Sequence, residues 1–214
     1  KIVYASNDID ERTANKLKKV LKNHNISTKQ IRMKEITDFY KSYFFIRRNK
    51  FPYITAKLAC SNDYYIYSKK NNTELMVDNL NFPEVLKVNS NDQTRILWMG
   101  PENWLVISSN HLLNELNEKF STTEFAVTDI SHSRSIIELQ GSDVLEVIKK
   151  GSPLNINELG EGYCSNSVFH AITITLDFIS DNPQVIRVLA LRSFGESLYH
   201  SVTDASLDFG YKAI

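Results

Sequence analysis

Asp129, Ser131 and His132 are the residue types of a hydrolytic triad, and they lie within four positions of one another. In such a triad an acid orients a histidine, which takes the proton from a nucleophilic hydroxyl group. Along a strand, however, alternate side chains point to opposite faces, so Asp129 and Ser131 would project to one side and His132 to the other. We therefore favour a turn-capping serine beside a surface histidine over a catalytic site.

Two arginines stand at junctions between predicted elements. Arg134 follows the turn that contains His132, and Arg192 lies between an apolar strand and the last helix. A guanidinium group there can hold a carboxylate or the carbonyl end of a helix, because its planar fork carries five donors. Two interpretations stay open: an internal salt bridge, which we favour, and an ion pair between subunits. His132, Arg134 and Arg192 are therefore candidate structural or subunit-interface residues.

The sequence lacks the motifs that bind nucleotides or metals. Gly160 and Gly162 form a G-x-G, but neither a third glycine nor a helix start follows, and no G-x-x-x-x-G-K occurs. None of the 5 histidines has another histidine or a cysteine at ligand spacing. The sequence predicts no catalytic, cofactor-binding or metal-binding residue in this chain.

The composition narrows the class of protein. The chain has 214 residues, and 25 Lys and Arg balance 25 Asp and Glu. This balance argues against a nucleic-acid binder and against a polybasic membrane-surface protein. Cys60 and Cys164 form no paired motif, which favours a reducing, cytoplasmic setting. No apolar run is long enough to span a bilayer, and KIVYASNDID shows no signal-peptide core.

The first part of the chain has a weaker pattern than the second. A D-x-x-E start precedes a helix predicted at about 9–23, and a second helical stripe covers 36–44. Short strands are predicted at 64–67 and 74–80, with a turn at 68–72 between them. We predict a helical, weakly patterned region at 1–88 and an α+β region at 89–214, or alternatively one continuous domain.

From residue 95 onward the sequence predicts strands that pair with their neighbours. A β-hairpin turns at GPEN, 100–103. Further strands are predicted at 125–131, 134–140, 163–178 and 185–191. The short SHSR segment predicts that the first two of these pair antiparallel. The residues Asp181, Asn182 and Pro183 predict the turn before the last strand.

Helices are predicted after three of these strands. Their expected N-terminal caps are Asn110, Ser142 and Ser193, the last in a capping box with Glu196. Gly151 is expected to end the second helix in a left-handed conformation. The last helix has an apolar stripe of Phe194, Leu198, Val202, Ala205 and Phe209, and Gly210 ends it. Antiparallel sheets with helices on one face give an α+β fold.

Four segments carry a family resemblance. They are LWMGPENWLVIS (97–108), TDISHSRSIIELQGSDVLEVIKKGSPL (128–154), GYCSNSVFHAITITL (162–176) and LRSFGESLYHSVTDASLDFG (191–210). In wording, order and spacing they resemble the gamma subunit of heterotetrameric sarcosine oxidase. The resemblance does not extend over the first 88 residues. The chain has SHSR where the family often has SHRR, and Ser152 where the family has a cysteine.

The resemblance implies a function for the assembly rather than for this chain. The family's complex is an oxidoreductase acting on CH–NH donors. It demethylates sarcosine to glycine, with formaldehyde or 5,10-methylenetetrahydrofolate and hydrogen peroxide as products. FAD, FMN, NAD and tetrahydrofolate are expected in the larger alpha and beta subunits. The gamma subunit resembles the folate-binding fold of the glycine-cleavage T-protein, carries no assigned catalytic residue and packs chiefly on alpha, in a complex that also contains delta.

An alternative is a free-standing folate-binding or one-carbon-transfer protein with the same fold. Fold alone is weak evidence for function. Such an enzyme needs a carboxylate at the reacting nitrogen or methylene group. Asp177, at the end of HAITITLD, is the nearest candidate. A third and weaker possibility is a scaffold in an unrelated complex.

Overall fold

The computed structural model describes residues 53–58, 62–68, 76–120 and 122–213, with the backbone alone for 53–58. These residues all lie within the unit Lys50–Ile214. The helices predicted at 9–23 and 36–44, and most of the turn at 68–72, lie outside the described residues. The division of the chain at residue 88 therefore stays a prediction.

Strands dominate the described part of the chain. The strands are β1 (Tyr53–Leu58), β2 (Asn62–Ser68), β3 (Met76–Val77), β4 (Leu80–Asn81), β5 (Val88–Ser90), β6 (Thr94–Gly100), β7 (Asn103–Ser108), β8 (Phe125–Asp129), β9 (Arg134–Gln140), β10 (Cys164–Phe169), β11 (Ile172–Asp181), β12 (Gln184–Leu191) and β13 (Lys212–Ala213). The helices are α1 (Leu113–Lys119), α2 (Val144–Gly151) and α3 (Gly195–Ser206). Short 3₁₀ turns occur at Ile156–Glu158 and Arg192–Phe194.

Two sheets and a small hairpin organise these strands. The larger sheet has 6 strands in the order β10-β11-β12-β9-β1-β13, and the smaller has 5 in the order β5-β6-β7-β2-β8. Neighbouring strands are antiparallel, except that β1 and β13 pair parallel. The strands β3 and β4 form a separate two-stranded hairpin.

The alternation of side chains along each strand explains why the sheets form layers. On β9, Ile137 and Leu139 pack with α2 and α3 in one cluster, whereas Ile136 belongs to a cluster with the smaller sheet. On β6, Ile96 faces the cluster that contains α1, and Leu97 faces the larger sheet. Each fully buried aliphatic side chain stabilises this arrangement by about 1.5–3 kcal/mol. The α+β prediction of antiparallel sheets, each with helices on one face, is therefore confirmed.

Local signals predicted several of these elements correctly. The strands β6 and β7 form the hairpin expected around GPEN. The turn at 181–183 joins β11 to β12, and β12 corresponds to the strand predicted at 185–191. In α3, the predicted stripe residues Leu198, Val202 and Ala205 are buried. Phe194, however, is 45% exposed and does not belong to that buried stripe.

The prediction that the strands around SHSR pair with each other is wrong. β8 pairs with β2 in the smaller sheet, whereas β9 pairs with β1 and β12 in the larger one. The SHSR segment therefore crosses between the sheets. A short connection usually joins paired strands, but here each strand finds a partner that is distant in sequence.

Two predicted strands are in fact hairpins. The run at 163–178 divides into β10 and β11, because His170 and Ala171 adopt φ values of 45° and 69° and turn the chain. The run at 74–80 contains β3 and the start of β4, with a turn at Asp78 and Asn79. Residues with φ above zero suit the two-residue turns that match the twist of a hairpin.

The predicted caps are also wrong. The residues preceding α1, α2 and α3 are Leu112, Asp143 and Phe194, and none makes a side-chain capping hydrogen bond. Asn110, Ser142 and Ser193 are therefore not the caps. Gly151 is the last residue of α2 and does not have a positive φ. A Cβ atom at this position would lie 2.6 Å from the Phe169 ring. Glycine is required at this position by close packing rather than by a turn.

Candidate functional site

The triad-like residues form a turn and do not converge on a reacting atom. The backbone N–H of Ser131 donates to Asp129 Oδ1 at 2.9 Å, and the Ser131 hydroxyl accepts from the Asp63 N–H at 3.1 Å. The hydrogen bonds of Ser131, its hydroxyl first, hold the pKa of Asp129 below its usual value. His132 is exposed, with φ 69°. The arrangement matches the predicted turn-capping serine beside a surface histidine.

Arg134 lies partly inside the protein at the start of β9. Its Nε atom is buried and has no hydrogen-bond partner among the described residues. Burial lowers the pKa of Arg134, and the nearby charge of Asp63 raises it. Asp63 is itself fully buried on β2. The Arg134 guanidinium group is therefore partly buried and lies near the buried carboxylate of Asp63.

Arg192 and His132 meet at the surface. The Arg192 Nη1 atom lies 3.5 Å from the carbonyl oxygen of His132, and the Arg192 N–H donates to the Ser133 carbonyl at 2.8 Å. Leu191, the last residue of β12, is the cross-strand partner of Arg134. The structure therefore brings the three predicted residues together where the β8–β9 connection meets the end of β12. They lie at one place, but only His132 and Arg192 are exposed there.

A buried ion pair joins the two sheets. Arg95 on β6 donates to both carboxylate oxygens of Asp177 on β11, at 2.9 Å from Nε and 2.7 Å from Nη2. The Asp177 side chain is 0% exposed and that of Arg95 is 16% exposed. Bidentate pairing of this kind fixes both distance and direction. Asp177, the carboxylate that the one-carbon-transfer alternative needs, is thus already held by a guanidinium group.

The charges continue across the larger sheet. Arg187 on β12 is the cross-strand partner of both Asp177 and Glu138, and its Nε atom lies 2.8 Å from Glu138 Oε2. Acidic and basic side chains therefore alternate across β11, β12 and β9. Arg95, on the smaller sheet, pairs with Asp177 at the end of this row. Sequence reasoning missed Arg95, Arg187 and Glu138. A charged residue inside each apolar strand was the only available signal.

Cys164 lies beside this charged row, between the sheets. Its Sγ atom lies 3.3 Å from the Lys87 carbonyl oxygen and 3.2 Å from that of Trp98. Burial raises the pKa of the Cys164 thiol to about 12. The protonated form donates to carbonyl groups, so Cys164 acts as a structural residue here.

The described residues contain no group of three or more His, Cys, Asp and Glu side chains placed to hold a metal ion. Within the same part of the chain, no helix is both long and apolar enough to cross a membrane.

The known proteins that this chain matches agree with the family resemblance of the four sequence segments. No family model matches the chain. The chain is 29% identical over 123 residues to the sarcosine oxidase subunit gamma of Corynebacterium sp. strain U-96, covering 54% of this chain and 58% of the relative. It is 30% identical over 128 residues to that of strain P-1, covering 56% and 61%. The match thus spans less than two thirds of each relative's length.

The chain resembles the gamma subunit of sarcosine oxidase.

Solved structures agree at the level of the fold. One is a chain of heterotetrameric sarcosine oxidase from Corynebacterium sp. U-96 in complex with pyrrole 2-carboxylate. It superposes with a TM-score of 0.64 at 23% identity, covering 73% of this chain and 85% of that chain. Another is the glycine cleavage system aminomethyltransferase T from Bartonella henselae, with a TM-score of 0.55 at 9% identity, covering 80% and 50%. The described part therefore has the T-protein-like fold that the resemblance implied.

Proposed function

We propose that this chain is a structural, non-catalytic gamma-type subunit of a heterotetrameric sarcosine oxidase. The assembly would demethylate sarcosine to glycine, with formaldehyde or 5,10-methylenetetrahydrofolate and hydrogen peroxide as products. The chain would act in the cytoplasm, in sarcosine catabolism, bound chiefly to the alpha subunit beside beta and delta. The similarity to two sarcosine oxidase gamma subunits is the observation that carries this proposal.

The geometry of the polar residues supports a structural role. The Ser131 hydroxyl and the Asp129 carboxylate stabilise a turn, and their hydrogen bonds do not form a proton relay with His132. A working triad needs the histidine within hydrogen-bond reach of both partners. The proposal therefore places FAD, FMN, NAD and tetrahydrofolate in the other subunits.

The alternative of a free-standing folate enzyme fits the described residues less well. It needs a carboxylate that can reach a ligand, and Asp177 is buried with both oxygens engaged by Arg95. Freeing Asp177 would leave an arginine without its partner between the sheets, at a cost of about 3–5 kcal/mol. The residues around Asp177 therefore do not fit a folate-binding site.

Co-purification of the complex tests the proposed function. The full-length chain, carrying an affinity tag, is co-expressed with the alpha, beta and delta subunits from the same source. We expect flavin absorbance and sarcosine-dependent hydrogen peroxide formation to elute with the tagged chain. The matched variant Ser131→Ala should give the same activity per assembled complex, because the hydroxyl group takes no part in the chemistry.

Two results would contradict the proposal. One is a failure of the chain to associate with the flavoprotein subunits at micromolar concentrations. The other is tight binding of tetrahydrofolate by the isolated wild-type chain in titration calorimetry, which would favour the free-standing folate protein. Both measurements use the wild-type chain.

A further inference from the structure

Two large apolar side chains are exposed within four positions at the end of β12. Leu191 is 51% exposed, and Phe194, the last residue of the 3₁₀ turn that follows it, is 45% exposed. The other exposed large apolar residues in the described part of the chain are far apart in sequence: Tyr67, Met76, Val85, Val168 and Leu207. Single exposed apolar residues are normal. Leu191 and Phe194 differ from them because they lie three positions apart and flank an exposed arginine, Arg192. We call Leu191, Arg192 and Phe194, together with His132, the 191–194 patch.

Arg192 gives this patch an unused positive charge. Its side chain makes one long hydrogen bond, to the His132 carbonyl, and no ion pair with another described residue. Among the described residues, neither Glu196 nor Asp129 forms an ion pair with Arg192. Glu196 lies 3.8 Å from His200, and Asp129 accepts hydrogen bonds from Ser131. Most of the five N–H donors of the guanidinium group therefore face solvent, in the geometry that binds a carboxylate bidentately.

The backbone beneath the patch is fixed before any partner binds. The Ser133 N–H donates to the Ile130 carbonyl at 2.9 Å, and the Arg192 N–H donates to the Ser133 carbonyl at 2.8 Å. His132 is held at φ 69°, a conformation that few non-glycine residues adopt. Such a conformation persists only where the surroundings enforce it, so this turn is held in place. A surface that is already ordered loses less conformational entropy on association.

We infer that the 191–194 patch is a docking surface for another protein chain that presents a carboxylate beside apolar side chains. The carboxylate pairs with Arg192, and Leu191 and Phe194 fill an apolar recess of the partner. Aromatic residues and arginine are the residue types that dominate binding energy at interfaces. This inference rests on the proposed function, in which the partner is another subunit of the complex. It assigns the contact with that subunit to His132 and Arg192 rather than to Arg134.

The test measures the association of full-length variants with the co-expressed partner subunits. Phe194→Asp and Leu191→Asp are each expected to weaken binding about tenfold or more. Arg192→Glu is expected to slow association most strongly at low salt, whereas Arg192→Lys should retain more of the binding. The matched control is Val85→Asp. Val85 is 64% exposed and lies three residues before Val88, whose N–H donates to the carbonyl oxygen of Gly162, before the start of β10.

The outcomes separate this inference from the proposed function. If the wild-type chain does not bind the other subunits, both fail. If the wild-type chain binds and Phe194→Asp binds equally well, the docking surface is wrong and the proposed function stands. If the wild-type chain instead forms a concentration-dependent dimer that Leu191→Asp disrupts, the patch binds a second copy, and the assignment to another subunit is overturned. Selective loss in the three patch variants, with Val85→Asp unchanged, supports the inference.

Discussion

Arg95 and Asp177, which are 82 positions apart, form a bidentate ion pair that joins the two sheets from opposite sides of the interior. The Asp177 side chain is wholly enclosed, and both of its carboxylate oxygens accept hydrogen bonds from Arg95. Removing one member of a buried pair leaves the other charge uncompensated, which is more damaging than replacing both. The pair therefore sets the distance and register at which β6 lies against β11.

Arg95→Met is expected to lower the free energy of unfolding by about 3–5 kcal/mol. The double variant Arg95→Met, Asp177→Val should recover much of that loss, because apolar groups can replace a buried pair without leaving a charge. Arg187→Met is the matched control. Its pair with Glu138 is 29% and 25% exposed, so we expect a loss of about 1 kcal/mol or less. Urea unfolding measures all three, and equal losses for Arg95→Met and Arg187→Met would contradict this account.

Gly151, the last residue of α2, packs against the Phe169 ring. Alanine at a helical position normally stabilises by roughly 0.5–1 kcal/mol relative to glycine. A Cβ atom at Gly151 would instead lie 2.6–2.8 Å from three atoms of that ring. Gly151→Ala is therefore expected to destabilise by about 1–3 kcal/mol through overpacking.

Gly100 provides the control for this substitution. A Cβ atom there would meet only the Asn103 side chain, at 4.0 Å. We expect Gly100→Ala to change stability by less than about 0.5 kcal/mol. Thermal or urea unfolding of the two variants compares them directly. A gain in stability for Gly151→Ala would show that the ring moves away freely.

The sequence predicted the structural features that are determined by residues close together in the chain. The GPEN hairpin and the buried stripe of α3 follow from turn residues and apolar spacing, and both are present. The pairing of β8 with β2 could not be predicted, because the SHSR connection contains no signal for a partner about sixty residues earlier. Gly151 was interpreted as a turn residue for the same reason, since the ring that requires it comes from β10.

His132, Arg134 and Arg192 stay predicted structural or subunit-interface residues. Arg192 lies beside the His132 carbonyl, and Arg134 is the cross-strand partner of Leu191. The three residues differ in burial, which the sequence does not report. Arg134 lies under the surface beside Asp63, whereas Arg192 is exposed. Asp177 looked available from its position at the end of an apolar run, and only the fold shows Arg95 holding it.

The pKa of Asp129 provides a pH-dependent test of the turn. The Ser131 hydroxyl hydrogen bond is the largest cause of its lowering from 3.8, followed by the Ser131 N–H, with smaller contributions from the charges of His111 and His132. Ser131→Ala is expected to raise this pKa toward 3.8. His132→Asn tolerates the positive φ and removes one of the smaller contributions, so the pKa should rise less.

The sign of the effect on stability follows from the direction of this shift. A carboxyl group whose pKa is lower in the folded state stabilises that state above its unfolded value, and the stabilisation is lost as the pH falls through the folded value. Asp129 is exposed, so solvent screens the effect on unfolding. Titration of its carboxyl carbon by NMR is therefore the appropriate measurement. An unchanged titration curve in Ser131→Ala would remove the hydrogen bond from the explanation.

Cys164 is expected to be chemically silent in the folded protein. Its buried thiol has a pKa of about 12, raised from 9.0, and thiolates are the reactive form. In a Cys60→Ser background, which leaves one cysteine, a thiol reagent should modify the chain only as fast as it unfolds.

The raised pKa of Cys164 contributes stability that is complete below pH 9 and is lost as the pH rises toward 12. The difference in unfolding free energy between this background and the same chain with Cys164→Ala should therefore shrink above pH 9. Rapid modification of Cys164 in native buffer would show instead that solvent reaches the space between the sheets.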